Sequence, residues 1–496
     1  MGRVRRTSSF LNAFIQRGRN LPHTEKIYIH QKYFAENLVL SSFTYSFMSN
    51  PAPIDTELLQ VLRSLGSHAG GPALQQRLGI SQPTLSRLLA PLVASGQVVA
   101  VGAARARRYL LPREVDGVGR QVPIHAVAPD GTLHAFGTLY PLASGGFWMD
   151  EADKAHGQSA FHDSLPWFLY DMRPQGFLGR GFVDAHPALR LPANLQHWSD
   201  DQILKALVNA GEDLPGNLIV GAAAFDRFLA LPEPLRTRAP VVDTPQNQYP
   251  ALAAQALGQT LAGSSAGGEQ PKFSAVRDGH PVLVKFSPAD DSATAQRWRD
   301  LLICEALALQ TLAGAGIDAA PSDIVQAGGR VFLESRRFDR TPQGGRVGMV
   351  SLEVYDRQYI GQGTNWVDTA QRSERAGPER LSPDDVHTIG LLDAFGALIA
   401  NTDRHHGNLS LLLREHRWRV APAYDMLPML YAPVAGEVVP RDFAAQPPRP
   451  TVHTLAVWPQ ARELATQFWH RAAADARISP AFRATALSNA QLTATL

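Results

Sequence analysis

The stretch that most narrows the choice of fold lies near residue 400, where two carboxylates and an amide sit at short fixed intervals between apolar segments. In "ALIANTDRHHGNLSLLL" (Ala397–Leu413), Asp403 and Asn408 stand five residues apart, after an apolar helix and before the apolar strand Leu409 to Leu413. "WRVAPAYDMLPM" (Trp418–Met429) then ends a short apolar run on Asp425. An Asp-x4-Asn spacing alone is common, but one followed by a strand-end aspartate is not. The site it describes is made of oxygen donors: the single cysteine, Cys304, excludes thiolate clusters and any intrachain disulfide. His405 and His406 invite a metal reading, yet no nearby Cys or spaced His completes a ligand set, and supporting roles are assigned to them.

Phosphoryl transfer needs a backbone-rich loop and a cation over the phosphates, a carboxylate that takes the hydroxyl proton, and oxygens that hold Mg²⁺. Asp403 and Asn408 have the spacing of the base and the metal-binding asparagine in a kinase HRDxxxxN loop, and Asp425 stands where the aspartate of a DFG triplet would stand. Upstream, "PVLVKFSP" (Pro281–Pro288) alternates like a half-buried strand and puts Lys285 among apolar residues, where an unpaired ammonium is costly. The helix Trp298 to Leu312 offers Glu305, and a Lys285–Glu305 ion pair would aim the lysine at the α- and β-phosphates. A lysine at a strand edge is otherwise usually just solvated. Before the strand, "LAGSSAGGEQPKFSAV" (Leu261–Val276) sets Gly263, Gly267 and Gly268 among small residues, which suits either close approach to phosphates or a plain turn.

A second module is expected nearer the N-terminus. Between Glu57 and Glu114 there is no acidic residue, while Arg63, Arg77, Arg87, Arg105, Arg107, Arg108 and Arg113 all fall there. Ile54, Leu58, Leu59, Val61, Leu62 and Leu65 form a helix-period face after Asp55, closed by Gly66. Pro72 opens a second helix through Leu78, Gly79 turns the chain, and Ser81 caps a third helix with Pro83 in its first turn. Gln82, Thr84, Ser86 and Arg87 are left outward to reach base edges. Gln97 to Val101 and Arg105 to Leu111 read as a two-stranded wing whose Arg105, Arg107 and Arg108 hold phosphates. The expected partner is double-stranded DNA; the competing reading is a helical triad that serves protein interaction only.

At 496 residues the chain is too long for one core, and with 45% apolar and 19% charged residues it reads as folded throughout. No apolar run reaches the roughly 18 residues of a bilayer span. The best candidate, Ile389 to Ala400, is interrupted by Asp393, so a soluble, cytoplasmic protein without membrane partners is expected. Residues 1–50 carry Arg3, Arg5, Arg6, Arg17 and Arg19 and fit either a mobile basic arm or a chain whose translation starts at Met48.

Together "SSAGGEQPK", "VLVKF", "FLESRRFDR" (Phe332–Arg340), "NTDRHHGN" (Asn401–Asn408) and "APAYDMLP" (Ala421–Pro428) resemble the HipA-like kinases, serine/threonine kinase toxins of bacterial type II toxin-antitoxin systems, over roughly residues 120 to 490. "FHDSLPWFLYDMRPQGFLGRGF" (Phe161–Phe182) and "GEDLPGNLIVG" (Gly211–Gly221) look like that family's amino-terminal subdomain, and the fused winged helix is similar to the YjjJ, or HipH, branch. The resemblance implies a multidomain α+β protein: a winged helix-turn-helix over 51–113, a family-type subdomain over 118–245, and a bilobed kinase. Its mixed-sheet N lobe would span 246–340 and its helical C lobe 341–496.

It further implies ATP and Mg²⁺ as cofactors, with Asp403 as base and Asn408 and Asp425 on the metal. Gly267, Gly268, Lys272, Lys285 and Glu305 would lie around the phosphates, and the hinge with Glu334, Arg336 and Phe338 would face adenine. In the family a phosphate-loop serine is autophosphorylated and silences the kinase; Ser264 and Ser265 are the candidates here. Family targets include aminoacyl-tRNA synthetases. A separate antitoxin and the oligomeric state stay open, and a protein substrate is expected to dock on Thr341 to Asp384, around Trp366 and the glycines at 361 and 363. The alternative is a DNA-binding regulator whose kinase-like half senses ATP without transferring phosphate.

Overall fold

The computed structural model describes residues 54–153, 159–258 and 270–496. The basic arm, the glycine-rich loop and its serines therefore lie outside the described residues.

The first unit is helical with a small sheet. Helix α1 (Ile54–Ser64) is followed by strand β1 (His68–Gly70), α2 (Gly71–Leu78) and α3 (Gln82–Ala94), then β2 (Val99–Val101) and β3 (Arg108–Leu110). Gly79 ends α2 in the left-handed region, φ 67°, and its N–H closes on Gln75 O, a conformation that a side chain disfavours. Ser81 sits before α3 with extended backbone, but its hydroxyl turns to Thr84 Oγ1 and not to a backbone N–H. Leu58, Leu62, Leu74, Leu85, Leu89 and Leu92 meet in one core, as their helical spacing requires. The antiparallel sheet runs β1-β3-β2, and β1 is a third strand that three residues of sequence did not announce.

A second sheet, all antiparallel in the order β7-β6-β5-β4-β8, combines β4 (Val122–Val127), β5 (Leu133–Pro141), β6 (Phe147–Glu151), β7 (Ala160–His162) and β8 (Leu218–Val220). Helix α4 (Asp200–Ala210) covers one face through Leu204, Leu207 and Val208; it opens with a reciprocal Ser199–Gln202 capping box. Helix α5 (Ala222–Leu229) seals a smaller cluster with Ala224 and Phe228 against Val127 and Ile219.

The third sheet is mixed, in the order β12-β13-β11-β10-β9: β9 (Val241–Val242) runs parallel to β10 (Lys272–Arg277), and the remaining pairs of β10, β11 (His280–Phe286), β12 (Ser322–Ala327) and β13 (Arg330–Arg336) are antiparallel. Helix α6 (Pro245–Gly258) lies on one face, where Tyr249 and Ala253 meet Val282, Val284 and Phe286. Because side chains alternate along a strand, Leu283 and Lys285 point to the opposite face. That face meets α7 (Ala293–Gly314), longer than the Trp298 to Leu312 expected.

The largest core joins α7 to α8 (Pro383–Leu398), α9 (Trp458–Ala474) and α10 (Pro480–Thr493). Buried Asp300 of α7 accepts from Ser479 N at 2.8 Å and Ser479 Oγ at 2.7 Å, fixing the start of α10. A last antiparallel sheet, β14-β15-β16, consists of β14 (Gly348–Ser351), β15 (Ser410–Arg414) and β16 (Arg417–Val420). Among the described residues no helix is long and apolar enough to cross a membrane. The whole is a mixed α+β architecture, a small helical unit and an antiparallel sheet unit preceding a mixed sheet and a helical body.

Candidate active site

One cleft of about 1170 Å³ collects residues from all three later units. Lys272, Lys285 and Glu305 line it from the mixed sheet and α7, and Asp403, Asn408 and Asp425 from the helical body.

Lys285, buried, donates to Glu305 Oε1 at 2.7 Å and also bonds Asp425 Oδ1. Burial works against its charge, but the Asp425 and Glu305 carboxylates outweigh it and hold the ammonium above the ordinary lysine range. For Asp425 burial is likewise overcome, by Lys285 and then Lys272, so its carboxyl lies below the usual range. Burial pushes the Glu305 carboxyl up against the pull of Lys285. Lys272 stands directly opposite Lys285 across the β10–β11 pair, bringing a second cation to the same cleft.

The Asn401–Asn408 segment leaves α8 through Ala400, whose φ of 59° turns the chain, and Asp425 is held at φ 54°, a region that Asp tolerates better than most residues. Asn401, buried, accepts from Asp403 N at 3.0 Å and donates to Asp425 O at 3.1 Å. Asn408 Nδ2 donates to Asp403 O at 2.8 Å. Arg404 turns away from the cleft, bonding Asp393 of α8 at 3.1 Å and Asn401 O. Behind the loop, Tyr424 OH donates to Gly407 O at 3.0 Å.

Residues of the segment expected to dock a protein substrate prop this loop. Trp366 is 1% exposed, and its indole N–H donates to His405 O at 2.8 Å. His406, kept neutral chiefly by burial, meets Thr369 Oγ1 at 2.9 Å, and Thr369 donates to Asp356 at 3.1 Å in a π-helical turn. Gly363 packs so closely there that a Cβ would fall 1.7 Å from Thr369 Oγ1. The surrounding polar sequence hid this role of Trp366; no spacing signal marks it.

Other candidates lie elsewhere. Glu334 is buried and accepts from Tyr249 OH of α6, Arg336 is exposed at the end of β13, and Phe338 packs 5.6 Å from the Tyr424 ring; none of the three lines the cleft. Gly267, Gly268, Ser264 and Ser265 are outside the described residues. Gln82, Ser86 and Arg87 are exposed near the start of α3, with Thr84 half-buried beside them. Arg105 and Arg107 are exposed between β2 and β3, while the Arg108 guanidinium lies 5.4 Å over the ring of Trp148 in β6.

No triad of His, Cys, Asp or Glu that would cage a metal occurs among the described residues. Mg²⁺ does not require one: it takes one or two carboxylates and completes its shell with water and phosphate oxygens. The oxygen donors of Asp425 and Asn408 on one cleft fit that demand.

The sequence has known relatives along most of its length. Residues 118–229 match the YjjJ-like toxin middle domain, and residues 264–491 match the HipA-like C-terminal domain. The chain is 38% identical over 418 residues to toxin YjjJ of Escherichia coli K12, covering 83% of this chain and 92% of that protein. It is 29% identical over 134 residues to the putative kinase Y4mE of Sinorhizobium fredii, 25% of this chain and 31% of that one. Solved structures align with it as well. HipA of Shewanella oneidensis MR-1, solved with HipB and its operator DNA, gives a TM-score of 0.49 at 15% identity over 75% of this chain and 96% of that chain. The Helicobacter pylori proinflammatory kinase CtkA gives 0.34 at 12% identity over 47% and 90%. With most of its length shared with a YjjJ toxin and its C-terminal half matching the HipA-like domain, the chain belongs to the HipA-like toxins, in the YjjJ-like group.

Proposed function

We propose that the chain is a Ser/Thr protein kinase that transfers the γ-phosphate of ATP. The observation that carries this reading is the buried Lys285 held between Glu305 and Asp425 on the same cleft as Asp403 and Asn408. Lys285 and Lys272 are the cations for the phosphates, with Gly267 and Gly268 contributing backbone N–H groups. Asp425 and Asn408 hold Mg²⁺, which when bound neutralises charge on the phosphate oxygens. Asp403, half exposed, accepts the proton of the acceptor hydroxyl as its oxygen bonds the γ-phosphorus and the bond to the β-phosphate oxygen breaks. Asn401 and Trp366 hold that loop in place.

Autophosphorylation on Ser264 or Ser265 would put about −1.5 to −2 charges beside the phosphate site and silence it. The test is incubation with γ-labelled ATP and Mg²⁺ beside Asp403→Ala, with phosphate mapped by peptide mass spectrometry. Transfer should fall about 10²- to 10⁴-fold in the variant. Equal labelling of both chains, or none of either from unphosphorylated protein, overturns the reading.

The first unit we read as a winged helix-turn-helix for double-stranded DNA, with α2 and α3 as the motif and β2–β3 as the wing. The exposed Gln82, Ser86 and Arg87 on α3 and Arg105 and Arg107 beside the wing support it. Binding should weaken with salt at a log-log slope of about −0.9 per neutralised phosphate, and removing Arg87 and Arg107 should flatten it.

A further inference from the structure

The cleft has a wall that phosphoryl transfer does not use. Its side from the antiparallel-sheet unit includes Tyr170, Arg173, Phe177, Arg180, Leu195 and Trp198, lining the same space as Asp403 and Asn408.

Arg173 is the informative member. Its guanidinium stacks 3.7 Å from the Tyr170 ring, and Arg357 lies over that ring at 4.9 Å while donating to Tyr170 OH at 2.7 Å. The two arginines are not equivalent. Arg357 spends its charge on Glu353 at 2.7 Å. Arg173 Nε reaches only Gln175 Oε1 at 3.4 Å, and among the described residues no carboxylate lies within salt-bridge distance of it. The nearest acid in sequence, Asp171, is committed elsewhere: its two oxygens accept from Ser351 N and Ser351 Oγ. Arg173 is thus a half-buried fork, fixed by stacking; Asp171 feels its charge without bonding it, so guanidinium donors are left for a ligand.

An anion alone would not explain the rest of the wall. Phe177, Leu195 and Trp198 offer apolar surface, and Leu178 beside them stands 51% exposed. Apolar ground with arginines set against its aromatic rings, Arg173 on Tyr170 and Arg180 on Phe177, suits an extended polypeptide bearing a carboxylate.

We infer that this wall seats the acceptor polypeptide and that Arg173 selects for an acidic residue close to the phosphorylated hydroxyl. The inference rests on the kinase reading for the fate of the peptide, but the binding can be measured without chemistry. The probes are fluorescein-labelled decapeptides with a central serine flanked by two Glu, two Gln or two Lys. Anisotropy titrations would use the full chain carrying Asp403→Ala, alone and combined with Arg173→Gln or Arg173→Lys.

We expect the Glu peptide to bind about 10-fold or more tighter than the Lys peptide, the size of a charge-assisted hydrogen bond. Arg173→Gln should erase the preference, and Arg173→Lys should retain part of it, because the charge remains without the fork. Thermal melts of each variant guard against a folding defect. Equal binding of the three peptides, binding of none, or an Arg173→Gln effect on nucleotide affinity in place of peptide affinity would overturn the inference. Glu-selective binding by a chain that, with Asp403 intact, transfers no phosphate would overturn the kinase reading while supporting the acidic-peptide assignment.

Discussion

At Asn401 a single buried amide ties the loop of Asp403 to the backbone of Asp425, accepting from one and donating to the other. Asn401→Asp keeps the acceptor and shape but loses the donor and adds a negative charge beside two carboxylates. Turnover should fall about 10- to 100-fold through misplacement of the base and metal ligand, with ATP KM moving much less, as steady-state kinetics would separate. Lys285 presents the complementary case. Lys285→Met leaves buried Glu305 and half-buried Asp425 without their cation, which costs about 3–5 kcal/mol at neutral pH by urea melts. With the lysine gone, the Glu305 carboxyl, already pushed up by burial, rises further, and that of Asp425 rises with it. The penalty is then fully present above the folded pKa values and shrinks as pH falls through them, opposite to the acid sensitivity that the lowered Asp425 carboxyl gives the intact chain. A Lys285→Met penalty independent of pH between 7 and 4 would refute this account. That Lys285, Asp403, Asn408 and Asp425 line one cleft was legible because each sits in a short motif, and the Lys285–Glu305 pair because a lysine among apolar residues needs a partner. Asn401 was not singled out within its motif, because its partners are defined only once Asp425 is folded against it.

The segment after β13 shows what short motifs conceal. Arg337, within the segment expected to face adenine, and Arg340 just beyond it reach toward the antiparallel-sheet unit, where both pair with Asp213 and with Asp339 between them in sequence. Asp339 accepts from Gly216 N at 3.0 Å, Arg340 donates to Leu214 O at 2.6 Å, and buried Arg346 donates to Glu212 O at 2.8 Å. This is a buried, hydrogen-bonded charge network between residues more than a hundred positions apart, so no local pattern announces it. It clamps the exit of the mixed sheet to the 212–216 turn. Burial alone would raise the carboxyls of Asp213 and Asp339, but the surrounding arginines reverse the sign and hold both below the usual range. A depressed folded pKa contributes stability that is present above the unfolded value of about 3.9 and lost as pH falls through the folded pKa. Urea midpoints should therefore drop steeply below about pH 4. Asp339→Asn should cost about 3–5 kcal/mol at pH 7 and flatten that acid limb.

Across the whole molecule, the first unit is built onto the second. Ala143 N donates to Leu111 O and Ser144 Oγ to Arg63 O, and Arg113 grips Asp201 with two bonds of 2.5 and 2.6 Å. Val101 and Leu110, from the strands read as a wing, are buried against Tyr140, Leu142 and Trp148 of the neighbouring sheet. Helix spacing made α1 to α3 legible, but a seam formed by strands of three residues has too little pattern to read. A DNA-bound first unit would thus carry the catalytic body in a fixed attitude. The seam also contains His68, stacked 4.8 Å from Phe161 and 5.2 Å from Trp148, with its Nδ1 buried and unpaired. Burial, aided by Arg108, lowers its pKa, so the ring is neutral when folded. A base with a lowered folded pKa contributes stability that is complete above the unfolded value of about 6.5 and declines as pH falls toward the folded one. Acidification from pH 7 to 5 should loosen the seam, seen as faster proteolysis between residues 111 and 121. His68→Phe keeps the aromatic stack, fills the site without a titrating group, and should remove the pH dependence. If His68→Phe and the parent chain lose protection in parallel, the seam is held by the Val101–Leu110–Trp148 cluster and the Arg113–Asp201 pair alone.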